Sequence, residues 1–204
     1  MKNLQNTRTN KFFLINKRIF DIIVSLLLLP LLFIVGITLL VFNLFFNPGK
    51  LFFIQKRMGK NCNIFNVIKF RTMTTVDEIT RKYDEPIETN RITPLGRLLR
   101  KMRIDELPQI LNVLKGDMSL IGPRPDYYEH ALEYLNKVEG YRERYIIRPG
   151  ITGLSQIRLG YVETLEATSK KTSIDNYYIN NMGYIIELKI IVNTILIIVK
   201  CLGK

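Results

Sequence analysis

Histidine is almost missing from this sequence: His130 stands alone among 204 residues. With no CxxC pair beside it, there is no signal for a metal centre built on His and Cys ligands. Cysteine is nearly as scarce. Cys62 and Cys201 cannot staple a chain of this length, and free thiols fit a cytoplasmic location. Internal repeats and low-complexity tracts are absent, and a 47% hydrophobic content argues against disorder. Acidic residues are in short supply, 18 against 30 Lys and Arg, which leaves a net charge of +12. That imbalance calls for an anionic partner: nucleic acid, an anionic lipid surface or a phosphorylated substrate.

Charge disappears altogether between residues 22 and 49. A run of this length exceeds the roughly 20 residues needed to cross a bilayer as a helix. It is too long for a cleaved signal peptide, and Asn47-Pro48-Gly49-Lys50 is no small-residue cleavage site. The first sixty residues carry nine cations and one acid, Asp21, so both flanks of the run are basic. That distribution favours a lipid surface over nucleic acid. Basic flanks stay on the cytoplasmic side, which a straight span cannot satisfy at both ends. Pro30 lies inside the run and is expected to kink or break its helix. A re-entrant membrane helix over 17–49, after a basic tail at 1–16, meets both conditions; a kinked single span is the plainer reading. Lys17 and Asp21 are spaced to pair across one helical turn.

The rest, 50–204, reads as a cytoplasmic domain with interfacial helices. Residues 51–55 and 64–68 are short, apolar and β-prone, with Gly59-Lys60-Asn61 between them, which predicts a hairpin. Residues 77–91 read as a surface loop or mobile helix. Thr93-Pro94 is a helix start, and Leu95, Leu98, Leu99 and Met102 continue it with helical spacing. A second helix is expected from Asp105 to Gly116, a third over 127–144 and a fourth over 184–202. The apolar stretch 190–199 in the last is too short to span and suits a core or an interface. The fold class is therefore α+β: mainly helical, with a small β-hairpin and an N-terminal re-entrant membrane helix.

The residues suited to chemistry cluster between 100 and 125. Asp105 and Glu106 fall at a helix start, where unpaired N–H groups favour anions. An ionised Asp is a competent nucleophile toward phosphorus, and a neighbouring Glu can hold a divalent cation. Taken alone, an Asp-Glu pair there is more often a plain cap. Gly122-Pro123-Arg124-Pro125 is more specific, because flanking prolines immobilise an arginine suited to bidentate phosphate binding. Arg148-Pro149-Gly150 repeats the device, and Lys69 and Arg71 add cations after the hairpin.

Five blocks in order resemble the bacterial sugar transferases, the monotopic phosphoglycosyl transferases: KRIFD at 17–21, KFRTM at 69–73, RIDELPQILNVLKGDMSLIGPRP at 103–125, RPGITGLSQ at 148–156 and DNYY at 175–178. The resemblance covers nearly the whole chain after residue 16, and the length suits the minimal catalytic form. It implies that Asp105 attacks the β-phosphate of a UDP-sugar, releases UMP, and passes the phosphosugar to a polyprenyl phosphate. This is the first membrane step of bacterial glycan assembly, on the cytoplasmic face of the inner membrane. It further implies Glu106 as a Mg²⁺ ligand, with Lys69, Arg71, Arg100, Arg124, Arg148 and Asp175 in the substrate and phosphate site. Anionic membrane lipids are expected partners, nucleic acid is not, and a homodimer is compatible. Two departures stand out. The helix-breaking Ser-Pro pair usual in the family is replaced by Phe33-Ile34, about one turn beyond Pro30. The Asn-Gly-Arg run common after Gln156 is replaced by Arg158-Leu159-Gly160, so the sugar is not carried over. Three rivals remain: a nucleic-acid binder, which lacks any recognised module; a catalytically inactive membrane scaffold, against which the intact Asp-Glu pair and Arg124 argue; and a multi-span transferase without a covalent intermediate, for which one hydrophobic hairpin is too little membrane.

Overall fold

The computed structural model describes residues 11–76, 85, 88–160 and 164–200. The expected loop at 77–91 and the basic tail at 1–16 fall largely outside them. Helix α1 (Lys11–Phe46) begins six residues before the expected boundary at 17 and runs through Pro30 without a break. One proline removes one bond of the ladder, and the leucines on either side keep the rest. Among the described residues α1 is the one helix long and apolar enough to cross a membrane. At 1.5 Å per residue it is about 54 Å long. Phe12, Leu27, Phe33, Leu44 and Phe45 project from it, each more than 60% exposed.

Most of the polar residues of α1 face inward. Asp21 accepts a hydrogen bond from the Leu120 backbone N–H at 3.0 Å, and Lys17 pairs with Glu187 at 2.6 Å. The expected Lys17–Asp21 pair is therefore not formed: each finds a buried tertiary partner, which removes more polar surface from low dielectric than an i,i+4 contact would. Arg18 donates to the carbonyls of Val113 and Leu114. At the other end Asn47 is buried against Arg71, whose guanidinium donates to the Asn47 side chain and to the carbonyls of Asn47, Pro48 and Lys50. Both ends of α1 are thus fastened to one body.

Strands β1 (Phe52–Met58) and β2 (Ile64–Phe70) form the expected antiparallel hairpin, with Phe52 opposite Phe70. Helix α2 (Pro94–Lys101) follows, capped by the Thr93 hydroxyl, which accepts from the Gly96 N–H at 3.0 Å. The helix expected from Asp105 begins only at Gln109: α3 (Gln109–Lys115) is preceded by a 3₁₀ turn at Ile104–Glu106. Pro108 takes the N-cap position, where its missing N–H costs nothing. Leu32 and Leu39 of α1 pack with Phe70, Leu99 and Ile110, so α1, the hairpin, α2 and α3 share one core.

Strands β3 (Ser119–Ile121) and β4 (Gly150–Thr152) pair in parallel, a sheet that the sequence reading did not contain. Backbone meets backbone here: a Cβ on Gly150 would lie 2.1 Å from the Gly122 nitrogen, so no other residue fits. Helix α4 (Tyr128–Lys137) is shorter than the expected 127–144, because Gly140 takes φ +71° and the chain resumes as a 3₁₀ turn at Arg142–Tyr145. Helices α5 (Leu154–Leu159), α6 (Leu165–Asn180) and α7 (Tyr184–Val199) complete the body. The last matches its expected start. It presents Ile185, Leu188, Val192, Ile195 and Val199 outward, so it suits an interface and not a core.

Candidate active site

A close approach sets the site. A Cβ on Gly96 would stand 2.0 Å from the Thr72 carbonyl oxygen, so glycine lets the first turn of α2 rest on the segment after β2. One turn on, the Arg100 Nε donates to the Thr72 hydroxyl at 2.9 Å. The chain then reverses at Arg103, a non-glycine residue with φ +59°. A left-handed conformation there costs about 1 kcal/mol, and it delivers Asp105 and Glu106 on the 3₁₀ turn. Ile104 and Leu107, on either side of the pair, pack on the cluster that contains Leu32 and Leu39 of α1. The turn that carries the two carboxylates thus packs on the core that α1 shares with the hairpin, α2 and α3.

Their environments differ. Glu106 Oε1 receives the Lys69 ammonium at 3.1 Å and the Arg124 guanidinium, while Oε2 faces Arg103 at 3.6 Å. Burial alone would raise its pKa, but Arg124 and Lys69 outweigh burial and hold Glu106 well below the usual carboxylate range. Asp105 accepts no hydrogen bond among the described residues. Burial and then the Glu106 charge push its pKa up to about 6, against the pull of Lys69, Arg124 and Arg100. Two adjacent carboxylates are thereby pushed apart: one permanently ionised and tied, the other untied and ionised near neutrality. Four cations surround two acids, which leaves surplus positive charge for an anionic ligand.

The loop bearing Arg124 is held from several sides. The Arg57 guanidinium donates to the Pro125 carbonyl at 3.0 Å, the Met58 N–H to Asp126 at 3.2 Å and the Gly150 N–H to Pro123 at 2.9 Å. From behind, Arg144 donates to the Arg124 carbonyl at 3.0 Å. Arg144 has no exposed surface and pairs with Asp126 at 2.7 Å and Asp175 at 2.8 Å. Lys171 joins Asp126 at 2.5 Å, and the Tyr141 hydroxyl donates to the same carboxylate at 2.7 Å.

Of the residues expected at the site, Lys69, Arg100, Asp105, Glu106 and Arg124 come together. Arg71, Arg148 and Asp175 make their contacts elsewhere. Arg71 is spent on the end of α1. The Arg148 Nε donates to the Gly116 carbonyl at 2.8 Å, beyond the far end of α3. Asp175 lies behind the Arg124 loop, paired with Arg144. Arg103, Asp126, Arg144 and Lys171 were missed. Asp126, next to the proline-flanked arginine, was the one with a local signal; Arg144 was hidden in what read as a helix face.

No cluster of three His, Cys, Asp or Glu suited to a metal exists among the described residues; the expected Mg²⁺ would have the neighbouring carboxylates of Asp105 and Glu106. Among the described residues, Glu106 Oε2 meets Arg103 at 3.6 Å, the longer of the contacts to its two oxygens, and Asp105 accepts no hydrogen bond. That set fits Mg²⁺, which takes one or two carboxylates and completes its shell with substrate phosphate and water.

Comparison with known proteins gives a consistent picture. Residues 12–201 match the family described as bacterial sugar transferase. The chain is 37% identical over 179 residues to the UDP-N-acetylgalactosamine-undecaprenyl-phosphate N-acetylgalactosaminephosphotransferase of Aeromonas hydrophila, covering 88% of this chain and 42% of that protein. It is 36% identical over 187 residues to the UDP-glucose:undecaprenyl-phosphate glucose-1-phosphate transferase of Caulobacter vibrioides, covering 89% and 68%. It is 37% identical over 194 residues to the exopolysaccharide production protein PSS of Rhizobium leguminosarum, covering 89% and 94%. The chain therefore spans under half of the first relative and nearly all of the last.

Proposed function

Because the chain belongs to the bacterial sugar transferase family, we propose that it moves a phosphosugar from a UDP-sugar to a polyprenyl phosphate and releases UMP, with Asp105 carrying the phosphosugar in between. The observation that supports this most is the buried, untied Asp105 beside a Glu106 paired with Lys69, Arg103 and Arg124, on a turn packed on the core that α1 shares.

In the first step an Asp105 carboxylate oxygen attacks the β-phosphorus of the donor. The bond from that phosphorus to the bridging oxygen breaks, and its electron pair leaves with UMP. In the second step a phosphate oxygen of the polyprenyl phosphate attacks the same phosphorus, and the Asp105 carboxylate departs. Phosphoryl transfer depends mainly on positioning and charge. Arg124, braced by Pro123, Pro125 and Arg144, and Arg100, held by Thr72, are fixed donors for the phosphate oxygens. Lys69 divides its charge between Glu106 and the ligand. Glu106, through the oxygen turned away from Lys69 and Arg124, would hold Mg²⁺, which when bound neutralises diphosphate charge.

In this reading α1 is seated in the cytoplasmic leaflet of the inner membrane without crossing it, although it does not turn back at Pro30 as expected, and the body lies on the cytoplasmic face. A straight span would carry its far end about 30 Å away, across the bilayer. Here Arg18 and Asn47, near opposite ends, both bind the same body. The acceptor then reaches Asp105 without leaving the membrane surface.

Incubation of the membrane-embedded chain with a panel of UDP-sugars and polyprenyl phosphate is expected to release UMP with one donor preferred. The names of the relatives cover two different sugars, so the panel spans N-acetylgalactosamine and glucose at least. No UMP from any donor would favour the inactive scaffold. The pH profile is a second expected result. Only ionised Asp105 attacks, so kcat/KM falls tenfold per pH unit below about 6 and levels off above it. A plateau that extends to pH 4 would contradict the assignment.

A further inference from the structure

Away from the Asp-Glu pair, α5, the end of α6 and the start of α7 enclose a groove of about 480 Å³. Arg158, Lys189, Tyr177, Tyr184 and Asn181 line it together with Ile185. It shares no residue with the Asp105 site. Neither the Arg158 guanidinium nor the Lys189 ammonium has a protein partner among the described residues, and both are exposed. Tyr177 and Tyr184 are also more than half exposed. Two free cations converging on one groove, with no acid in its lining, make it complementary to an anion.

Its position says which anion. Ile185 opens the outward apolar stripe of α7, which continues through Leu188 and Val192 and is 74%, 61% and 48% exposed at those residues. At the same end, Tyr184 accepts a hydrogen bond from Asn16 of α1 at 2.9 Å and stacks edge-on against Phe13. The groove therefore sits where the apolar surfaces of α1 and α7 meet a polar rim. Tyrosines and snorkelling cations mark headgroup depth in membrane proteins. A soluble phosphate would have no use for the stripe; a ligand with a charged head and an apolar tail would use both.

We propose that this groove binds the phosphate of an anionic membrane phospholipid, with the acyl chains lying along Ile185, Leu188 and Val192. This rests on the reading of α1 and α7 as membrane elements and goes beyond it by assigning a lipid site apart from the acceptor. Bound there, the lipid pins the start of α7. That start also carries Glu187, the partner of Lys17 and Tyr178, so the lipid steadies the α1–α7 junction.

The test is native mass spectrometry of the full chain in detergent, titrated with dioleoylphosphatidylglycerol or dioleoylphosphatidylcholine. The wild type is expected to retain phosphatidylglycerol over phosphatidylcholine. The double variant Arg158→Ala, Lys189→Ala is expected to lose at least about tenfold in apparent affinity for phosphatidylglycerol, and the charge-keeping pair Arg158→Lys, Lys189→Arg to keep most of it. Millimolar inorganic phosphate is expected not to displace the lipid. Equal retention by wild type and the double alanine variant overturns the proposal, as does a lack of preference for the anionic lipid. Displacement by inorganic phosphate overturns it in favour of a soluble anion. A raised KM for the UDP-sugar with unchanged lipid retention overturns it in favour of a donor contact. None of these outcomes bears on Asp105, whose role is read separately from UMP release.

Discussion

Asp105→Asn is expected to abolish UMP release, by at least about 10³-fold, and at the same time to make the folded protein more resistant to heat. An amide is too poor a nucleophile to form the acyl phosphate, and a loss of this size corresponds to about 4 kcal/mol of barrier. The gain in stability has an independent cause. The Asp105 pKa is raised from 3.8 to about 6 in the folded protein, first by burial and then by Glu106. The folded state thus holds the proton more tightly than the unfolded chain. Below pH 4 the group is neutral in both states and costs nothing. As pH rises through 6 the folded protein must ionise it against burial, and stability falls. At pH 8 the full cost is about 3 kcal/mol, which the asparagine variant avoids. The melting temperature of Asp105→Asn is therefore expected to exceed that of the wild type by several degrees at pH 8, with the gap closing toward pH 4. An inactive variant that is equally or less stable at pH 8 would mean that the residue had been lost structurally and not chemically. Stability given up at a reacting group is what a site built for chemistry displays.

The opposite result is expected at Arg144. This guanidinium has no exposed surface, pairs with Asp126 and Asp175, and lies against the rings of Tyr141 and Tyr145. Arg144→Leu would leave Asp175, itself buried, without its cation, and Asp126 with Lys171 alone of its two. Removing one partner from a buried ion pair costs about 3–5 kcal/mol. A clear fall in melting temperature should follow, and with it a fall in kcat, because the Arg124 carbonyl loses the donor that holds it at 3.0 Å. Asp175→Asn removes a buried charge along with its pairing, so its loss should be smaller. Should Arg144→Leu melt with the wild type, the network behind the Arg124 loop would not be what fixes that loop.

Local signals carried much of this fold, and they did so where one stretch of chain decides its own shape. The hairpin, the Thr93 cap, the start of α7 and the apolar character of α1 are of that kind. The Asp105–Glu106 pair with Lys69, Arg100 and Arg124 was also legible, because prolines around Arg124 and the helix-start chemistry leave a short-range trace. What escaped depended on contacts between distant segments. The β3–β4 pairing rests on Gly122 and Gly150 meeting backbone to backbone, and no periodicity reports that. Lys17 and Asp21 looked like partners because they are one turn apart, yet each bonds to a residue about a hundred or more positions away. Arg71, Arg148 and Asp175 matched the family pattern by position, but the structure gives their side chains other partners. Arg103 was overlooked because a left-handed arginine beside the pair has no sequence signature. The late start of α3 follows from the same reversal, which puts the carboxylates on a tight turn instead of a helix.

The most direct measurement is the mass of the peptide containing Asp105 after the full chain meets its UDP-sugar with no polyprenyl phosphate present and is quenched in acid. A gain equal to one sugar phosphate, confined to Asp105, absent from Asp105→Asn and discharged when polyprenyl phosphate is added, is the predicted result. UMP release at full rate with no such gain on Asp105, or a gain on another residue that the asparagine variant retains, would contradict it.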